Sequence, residues 1–165
     1  MIRAVRQGNI DEKDIVIIKS LESDSRKPWR QLAKELNLSE ATIYLRIKKL
    51  EENEIIKGFT IKVDPLKIGL SITVFLLIKA RAENIIQIKK ELVDLDYIVE
   101  MHEITGSYQF LVKMLAPSQR EVSKAIENIM KIPGIVEVNT LMSLNTLKSG
   151  ENIIGALDYW LNSRH

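Results

Sequence analysis

Residues 28–50 read PWRQLAKELNLSEATIYLRIKKL, and this stretch decides the fold of the first half of the chain. Its pattern predicts two short helices, residues 28–36 and 40–50, on either side of a tight turn. Pro28 suits the first turn of a helix, because its missing N–H would have no partner there. Ser39 suits the N-cap of the second helix, since its hydroxyl can accept from a free backbone N–H. The stretch therefore has the form of a helix-turn-helix.

Another helix precedes this pair, and an extended segment follows it. Asp11 can cap the preceding helix. The apolar residues of that helix recur at helical spacing and are Ile15, Ile18 and Leu21. Residues 55–63 combine strand-like composition with Gly58 for a turn, which predicts a hairpin-like wing. Asp64-Pro65 ends the wing, so we predict a first domain over residues 1–63.

The period of the apolar residues changes after residue 63. The pattern predicts strands at 72–80, 98–105, 108–115 and 135–144, with helices at 84–95 and from Ser118 onward. The order β-α-β-β-α-β is that of the ferredoxin-like split unit, an antiparallel four-stranded sheet with two helices on one face. We therefore predict an α+β fold, with residues 64–148 as the second domain.

The first predicted strand is apolar on both of its faces. Phe75 and Leu77 point away from the predicted helices, so we expect another subunit to cover them; the C-terminal segment is the alternative. Residues 149–165 carry an apolar stripe at helical spacing and are predicted to form an amphipathic extension anchored by Trp160. Docking on its own domain and docking on a partner subunit both satisfy that stripe, and we favour the partner.

Composition and charge exclude several classes of protein. The 165 residues have a formal net charge of +2 and no cysteine, which excludes disulfides and thiolate metal sites. Residues 26–49 hold seven basic and two acidic side chains, which suits a polyanion-binding face or a solvated surface. The apolar runs are far shorter than the ~20 residues of a membrane span, and the N-terminus lacks a signal-peptide core. We expect a cytoplasmic protein without a membrane partner.

The residue types that carry catalysis form no recognisable constellation. The two histidines are His102 and the terminal His165. Glu100 and Glu103 lie an odd number of residues apart in one predicted strand, so they face opposite sides of the sheet. No motif places a serine beside a base or a glycine-rich loop before a helix. We therefore expect no catalytic site, no metal and no cofactor.

The helix pair itself carries a mechanism for binding DNA. In such a unit the second helix enters the major groove. Arg46 is the best candidate for a bidentate contact to guanine. The residues expected to contact bases or phosphates are Arg26, Lys27, Arg30, Ser39, Glu40, Ala41, Thr42, Tyr44, Leu45, Arg46, Lys48, Lys49 and Lys57. A generic helical hairpin with a solvated basic face is the alternative.

Several runs of residues, in this order, resemble those of one known family. Residues 11–15, 30–39 and 46–52 resemble the winged helix-turn-helix of the leucine-responsive and asparagine-responsive regulators, the feast/famine or Lrp/AsnC family. Residues 55–59 resemble its wing. Residues 104–108 resemble the turn of its amino-acid-sensing (RAM) domain. The resemblance covers about residues 10–148, nearly the whole chain.

The resemblance implies a transcription regulator that binds a double-stranded DNA operator. It also implies a homodimer formed through the sheets, further assembly of dimers, and an effector, usually an amino acid, bound near the glycine turn. Gly106 matches the family's glycine, whereas Ser107 and Gln109 stand where aspartates are common. The expected effector-binding residues are Gly106, Ser107, Tyr108, Gln109 and Thr140.

Two other functions stay open. Sirohaem decarboxylases resemble the same family, so an enzyme on this scaffold is one alternative, although it would need a tetrapyrrole pocket with histidine and arginines. The other is a DNA-binding regulator without an effector, in which the glycine turn is a plain β-turn.

Overall fold

The structure is a computed structural model that describes residues 10–148 and 153–162. The side chains of residues 158 and 160–162 lie outside that description. The chain divides into two compact units. The helical unit extends to Lys62 and resumes at Lys148, and the sheet unit comprises Val63–Leu147.

Two of the first three helices of the helical unit begin with a side-chain cap. These three helices are α1 (Glu12–Ser23), α2 (Trp29–Leu36) and α3 (Glu40–Glu52). At the start of α1 the side chains of Asp11 and Asp14 each accept from the other's backbone N–H, at 2.9 and 3.0 Å. This reciprocal pair satisfies N–H groups that a helix start leaves free. Ser39 Oγ accepts from the Thr42 N–H at 3.1 Å and caps α3 as predicted. The helix-turn-helix is thereby confirmed.

The three helices enclose a small apolar core. Its buried members are Ile17, Leu21, Leu32, Ala33, Ile43, Ile47 and Leu50. In α1 the fully buried residue is Ile17, whereas the predicted Ile15 and Ile18 are only half-buried. The turn between α2 and α3 contains Asn37 in the left-handed region, at φ 51°. Asparagine tolerates that conformation better than most residues, so the chain can reverse there without glycine.

The predicted wing does not form as a hairpin. Within the described part of the chain, residues 53–71 contain no strand. The segment begins against α3, where the N–H groups of Ile55 and Ile56 both donate to the Leu50 carbonyl. Beyond Gly58, the side chains of Phe59 and Ile61 are exposed. An isolated two-stranded hairpin is at best marginally stable in water, so strand-like composition alone does not produce a ladder.

The sheet unit has the predicted β-α-β-β-α-β order. Its elements are β1 (Ile72–Ala80), α4 (Ile85–Val93), β2 (Ile98–Glu103), β3 (Phe110–Ala116), α5 (Gln119–Met130) and β4 (Ile135–Met142). The strands lie in the order β2-β3-β1-β4, and every neighbouring pair is antiparallel. Ser118 caps α5 by accepting from the Glu121 N–H at 3.4 Å. The ferredoxin-like prediction is confirmed.

The two faces of this sheet differ in burial. Alternate residues of β1 and β3 pack against α4 and α5 and are fully buried: Val74, Leu76, Ile78, Phe110, Val112 and Met114. On the opposite face Phe75 lies beside Lys113 and Leu141, and Leu77 beside Leu111 and Asn139. Phe75 and Leu77 are only half-buried there. This outer face therefore presents apolar side chains that the sheet unit itself does not cover.

The C-terminal helix α6 (Ile153–Asn162) belongs to the helical unit. The carboxylate of Glu22, on α1, accepts from the backbone N–H groups of Ile153 and Ile154 at 2.6 and 3.3 Å. The Ile154 side chain is buried. Within this chain α6 therefore docks on α1, and the favoured contact with a partner subunit stays a prediction. The predicted anchor, Trp160, has a side chain outside the described part of the structure.

Candidate nucleic-acid interface

Helix α3 turns one side to the core and the other to solvent. Ile43, Ile47 and Leu50 are at most 2% exposed and seat the helix against α1 and α2. The opposite side is exposed and carries Ala41, Tyr44, Leu45 and Lys48, which we call the α3 face. These are positions i, i+3, i+4 and i+7 of one helix, so their side chains lie on one side and can enter a groove together.

Exposed cations border the α3 face. Arg30, in the first turn of α2, is 76% exposed, and its Nε lies 3.7 Å from a carboxylate oxygen of Glu40. Lys48 lies 3.8 Å from Glu52 and is also exposed. Ion pairs of this length in water are weak, so a phosphate can replace the carboxylate partner of either cation. Arg26 and Lys57 are exposed as well.

Lys27 is placed differently from these cations. Its Nζ donates to Glu35 at 2.7 Å and to the Ser20 hydroxyl at 2.9 Å, and its side chain is only 19% exposed. The hydrogen bonds from Lys27 and Gln31 lower the pKa of Glu35 below its ordinary value. Lys27 therefore fastens the loop before α2 to α1 and α2. Its predicted phosphate contact is not supported, because its ammonium group already has two partners.

Arg46 differs most from its predicted role. Its Nη1 donates to Asp14 at 2.7 Å and to Asp11 at 2.8 Å. The Asp14 side chain is only 7% exposed and that of Arg46 26% exposed. Sequence spacing gives no sign of this pairing, because Asp14 and Arg46 lie 32 residues apart in the chain.

The pKa directions agree with a stable ion pair at Arg46. Burial alone would raise the pKa of Asp11, but hydrogen bonds from the Asp14 N–H and from Arg46 outweigh it and lower that pKa. The hydrogen bonds to Asp14 and Asp11 raise the pKa of Arg46. The guanidinium thus joins α3 to the start of α1. We withdraw Arg46 from the residues predicted to read a base, because two carboxylates of α1 and its cap hold its guanidinium through Nη1.

The structure adds an aromatic pair that the sequence did not suggest. Trp29, the first residue of α2, and Tyr44, on α3, have ring centroids 5.6 Å apart with planes tilted by 45°. The only signal in the sequence is a tryptophan within the polar first turn of a helix, which is not distinctive. Ser39 and Thr42 are joined hydroxyl to hydroxyl at 2.8 Å, so both are partly committed to the cap of α3.

The turn between β2 and β3 contains four of the five predicted effector residues, but not Thr140. Gly106 has φ 116°, which favours glycine, and apart from its two chain neighbours no residue lies within 4 Å of where a Cβ would stand. The Tyr108 hydroxyl donates to Glu137 at 2.8 Å. Gln109 Oε1 accepts from the Ala80 N–H at 2.8 Å, where the pairing of β1 with β4 shifts register. That side chain supports the sheet, which argues against its predicted contact with an effector.

Thr140 lies away from this turn. It pairs with Leu76 on the helix-covered side of the sheet, whereas Glu137 is opposite Lys79 on the outer face. A cavity of about 280 Å³ lies elsewhere in the sheet unit, against Tyr97, Met114, Glu121 and Asn128. None of the five predicted effector residues lines it. Within the described ranges, no group of three or more possible metal ligands comes together, and no helix is long and apolar enough to cross a bilayer.

Two family models match the two units in turn. The AsnC-type helix-turn-helix domain matches residues 10–51, and the Lrp/AsnC ligand binding domain matches residues 73–153. The HTH-type transcriptional regulator FL11 of Pyrococcus abyssi is 37% identical over 140 residues, which is 85% of this chain and 93% of that protein. The chain belongs to the Lrp/AsnC family.

Solved structures of Lrp/AsnC proteins share the fold. Escherichia coli AsnC is 28% identical, with a TM-score of 0.82 over 86% of this chain and 96% of that chain. A regulator from Neisseria meningitidis, solved as a complex with L-Met, has a TM-score of 0.80 at 17% identity over 85% and 93%. Its likeness shows the fold alone. The Lrp/AsnC ligand-binding match ends at residue 153, so nearly all of α6 lies beyond it.

The protein is accordingly an HTH-type transcriptional regulator of the Lrp/AsnC family, as the resemblance in its sequence implied. Its DNA-binding unit is the helical unit, and its ligand-binding domain is the sheet unit.

Proposed function

We propose that the protein acts as a homodimer that binds a pseudo-palindromic operator through two copies of the α3 face. The observation that carries this proposal is the seating of α3: three residues that are at most 2% exposed fix one side, and Ala41, Tyr44, Leu45 and Lys48 are exposed on the other. Such a helix enters the major groove and reads base edges with its outward side chains.

The proposed contacts divide into two groups. Ala41, Tyr44 and Leu45 offer apolar surface and one hydroxyl to base edges, with Glu40 and Thr42 at the entrance. Cations and the cap residues position the backbone and carry no sequence information. These backbone-contacting residues are Arg26, Arg30, Ser39, Lys48, Lys49 and Lys57.

Dimerisation through the outer face of the sheet is the second part of the proposal. Phe75, Leu77 and Leu111 form a contiguous apolar strip across β1 and β3. A sheet with helices on one side and such a strip on the other buries more apolar area by pairing with a second copy. Light scattering of the full chain, with Leu77→Glu as the variant, tests this point: the variant is expected to lose mass. Higher assembly from dimers is part of the same proposal.

The third part is an effector, proposed to be an amino acid or a related metabolite, bound at the β2–β3 turn. The space around Gly106 supports this site. So does the Glu137 carboxylate beside Tyr108, a negative charge that the sequence analysis did not place near this turn. An ammonium group can replace the Tyr108 hydroxyl as the partner of that carboxylate. Gln109 is left out of this site, and so is Thr140. Calorimetry against the twenty amino acids tests the effector, with Glu137→Gln as the matched variant.

The test of the whole proposal is selection of bound genomic DNA by the full chain. We expect one enriched pseudo-palindrome whose half-sites are about one helical turn, or a multiple of it, apart. Recovery of DNA without a shared motif would contradict it. A regulator without an effector remains the second candidate, because the side chain of Gln109 is already held by Ala80.

We further propose that the protein acts in the cytoplasm, where an operator is accessible, and that it catalyses no reaction. The described residues include one histidine, His102, which contacts Glu100 at 2.7 Å on an exposed strand. A tetrapyrrole enzyme on this scaffold would change its visible absorption when tetrapyrrole is added. We expect no such change.

A further inference from the structure

The aromatic pair Trp29 and Tyr44 lies outside the buried core of the helical unit. The buried members of that core are isoleucine, leucine and alanine. Trp29 is 40% exposed and Tyr44 46% exposed. Their exposed surfaces adjoin one another, and adjoining exposed aromatic surface points to a partner outside the unit.

The position of the pair connects the two helices of the DNA-binding motif on their solvent side. Trp29 opens α2, and Tyr44 lies on the α3 face one turn after Glu40. In a docked helix-turn-helix, α3 lies in the groove while the preceding helix crosses the DNA backbone. A ring on each helix, in mutual contact, therefore spans the boundary between groove and backbone.

The apolar rings of Trp29 and Tyr44 suit only some of the groups that DNA presents in the major groove. In the major groove the thymine 5-methyl group is the apolar feature that distinguishes a base pair, and aromatic side chains can pack on it. The neighbouring Arg30 and Lys48 favour a polyanion over an uncharged partner. The tilted contact with Trp29 restricts the Tyr44 side chain before binding, which lowers the cost of ordering it in the complex.

We propose that Trp29 and Tyr44 form a thymine reader, in which the Tyr44 ring packs on a thymine 5-methyl group and Trp29 holds that ring at the edge of the groove. The proposal rests on the binding mode proposed above for α3, and it adds a base identity to that mode. Trp29 is a positioning residue here, since it acts through Tyr44.

The experiment uses the full chain and the operator recovered by selection. Each thymine of one half-site is replaced in turn by deoxyuridine, which removes only the methyl group. We expect one position at which the replacement weakens binding by about three- to fivefold, the effect of burying one methyl group. The penalty should persist in Tyr44→Phe, which keeps the ring. It should disappear in Tyr44→Ala and shrink in Trp29→Ala.

A second readout separates positioning from mere stability. Binding of the operator should change the tryptophan emission of the full chain, and Trp29→Phe, which keeps Trp160, should remove that change. Circular dichroism verifies that each variant is folded, and Val16→Ala, an exposed residue of α1, is the matched control.

Two results would overturn the thymine reader. In the first, Tyr44→Ala still binds the operator, and every deoxyuridine replacement weakens its binding as much as it weakens that of the wild type. This result would leave the α3 binding mode intact. In the second, Trp29→Ala and Tyr44→Ala change the mass of the protein assembly but not the loss of binding caused by deoxyuridine. This result would show that the pair contacts another protein subunit. If the wild-type chain bound no DNA at all, that result would instead contradict the proposed function itself.

Discussion

The ion pair of Arg46 with Asp14 leads to a prediction that separates a structural role from base reading. Replacing Arg46 with alanine leaves the Asp14 carboxylate almost fully buried, with the Asp11 N–H as its remaining partner. Breaking a buried pair costs about 3–5 kcal/mol. Because a quarter of the Arg46 side chain is exposed, we expect a smaller loss of about 2 kcal/mol in the free energy that holds α3 against α1.

Hydrogen exchange of the backbone amides measures this loss locally. A change of about 2 kcal/mol makes amides that open with α3 exchange about 30-fold faster. Lys48→Ala, an exposed cation on the same helix, is the control and should change exchange little. The double variant Arg46→Ala with Asp14→Ala should lose less than the sum of the two single losses, since no charge is then left unpaired.

The base-reading alternative makes the opposite prediction for the same variant. If Arg46 contacts guanine, Arg46→Ala leaves amide exchange in α3 unchanged and relaxes the preference at one base pair by about 1–3 kcal/mol. That combination would refute the structural assignment of Arg46.

Other expected outcomes follow from single contacts. The pKa of Asp11 in the folded protein lies below its ordinary 3.8. The stability that this carboxylate contributes is therefore present above pH 3.8 and is lost as the pH falls through the folded pKa. The free energy of unfolding of the helical unit, measured by urea titration, should fall only below about pH 4. Lys48→Ala should weaken binding to all DNA sequences alike and reduce the salt slope by about one, as filter binding at several salt concentrations would show. Glu22→Gln keeps the shape but loses the charge at the start of α6, so proteolysis after residue 148 should become faster, and an unchanged rate would mean that this cap does not hold the helix. Gln109→Leu removes the acceptor for the Ala80 N–H and should lower the midpoint of thermal unfolding of the sheet unit, whereas Ser107→Ala, at the exposed turn, should not.

Local sequence signals predicted most of the fold. Ser39 and Ser118 mark helix starts by a mechanism that works within four residues, and both caps form. Strand β1 begins and ends where its apolar run predicts, Ile72 to Ala80. These features depend on neighbours in the chain, which a sequence displays directly.

The residues that we withdraw from the candidate site have contacts with residues that are distant in the chain. Arg46 looked free because its partners Asp11 and Asp14 are more than thirty residues away. Gln109 looked like a ligand-binding residue, but its amide oxygen completes the register shift at Ala80. A polar side chain with a nearby backbone partner and one that awaits a ligand have the same letter in a sequence, and only tertiary structure distinguishes them.

The most direct test of the central claim exchanges the α3 face and reads the change in operator sequence. A variant with Ala41 and Leu45 replaced by the residues at the corresponding positions of another Lrp/AsnC regulator keeps the buried side of α3 intact. Genomic selection with this variant should give a different half-site sequence with the same spacing between half-sites, because α3 reads the bases and the dimer sets the distance. An unchanged half-site sequence would show that the α3 face does not read the operator.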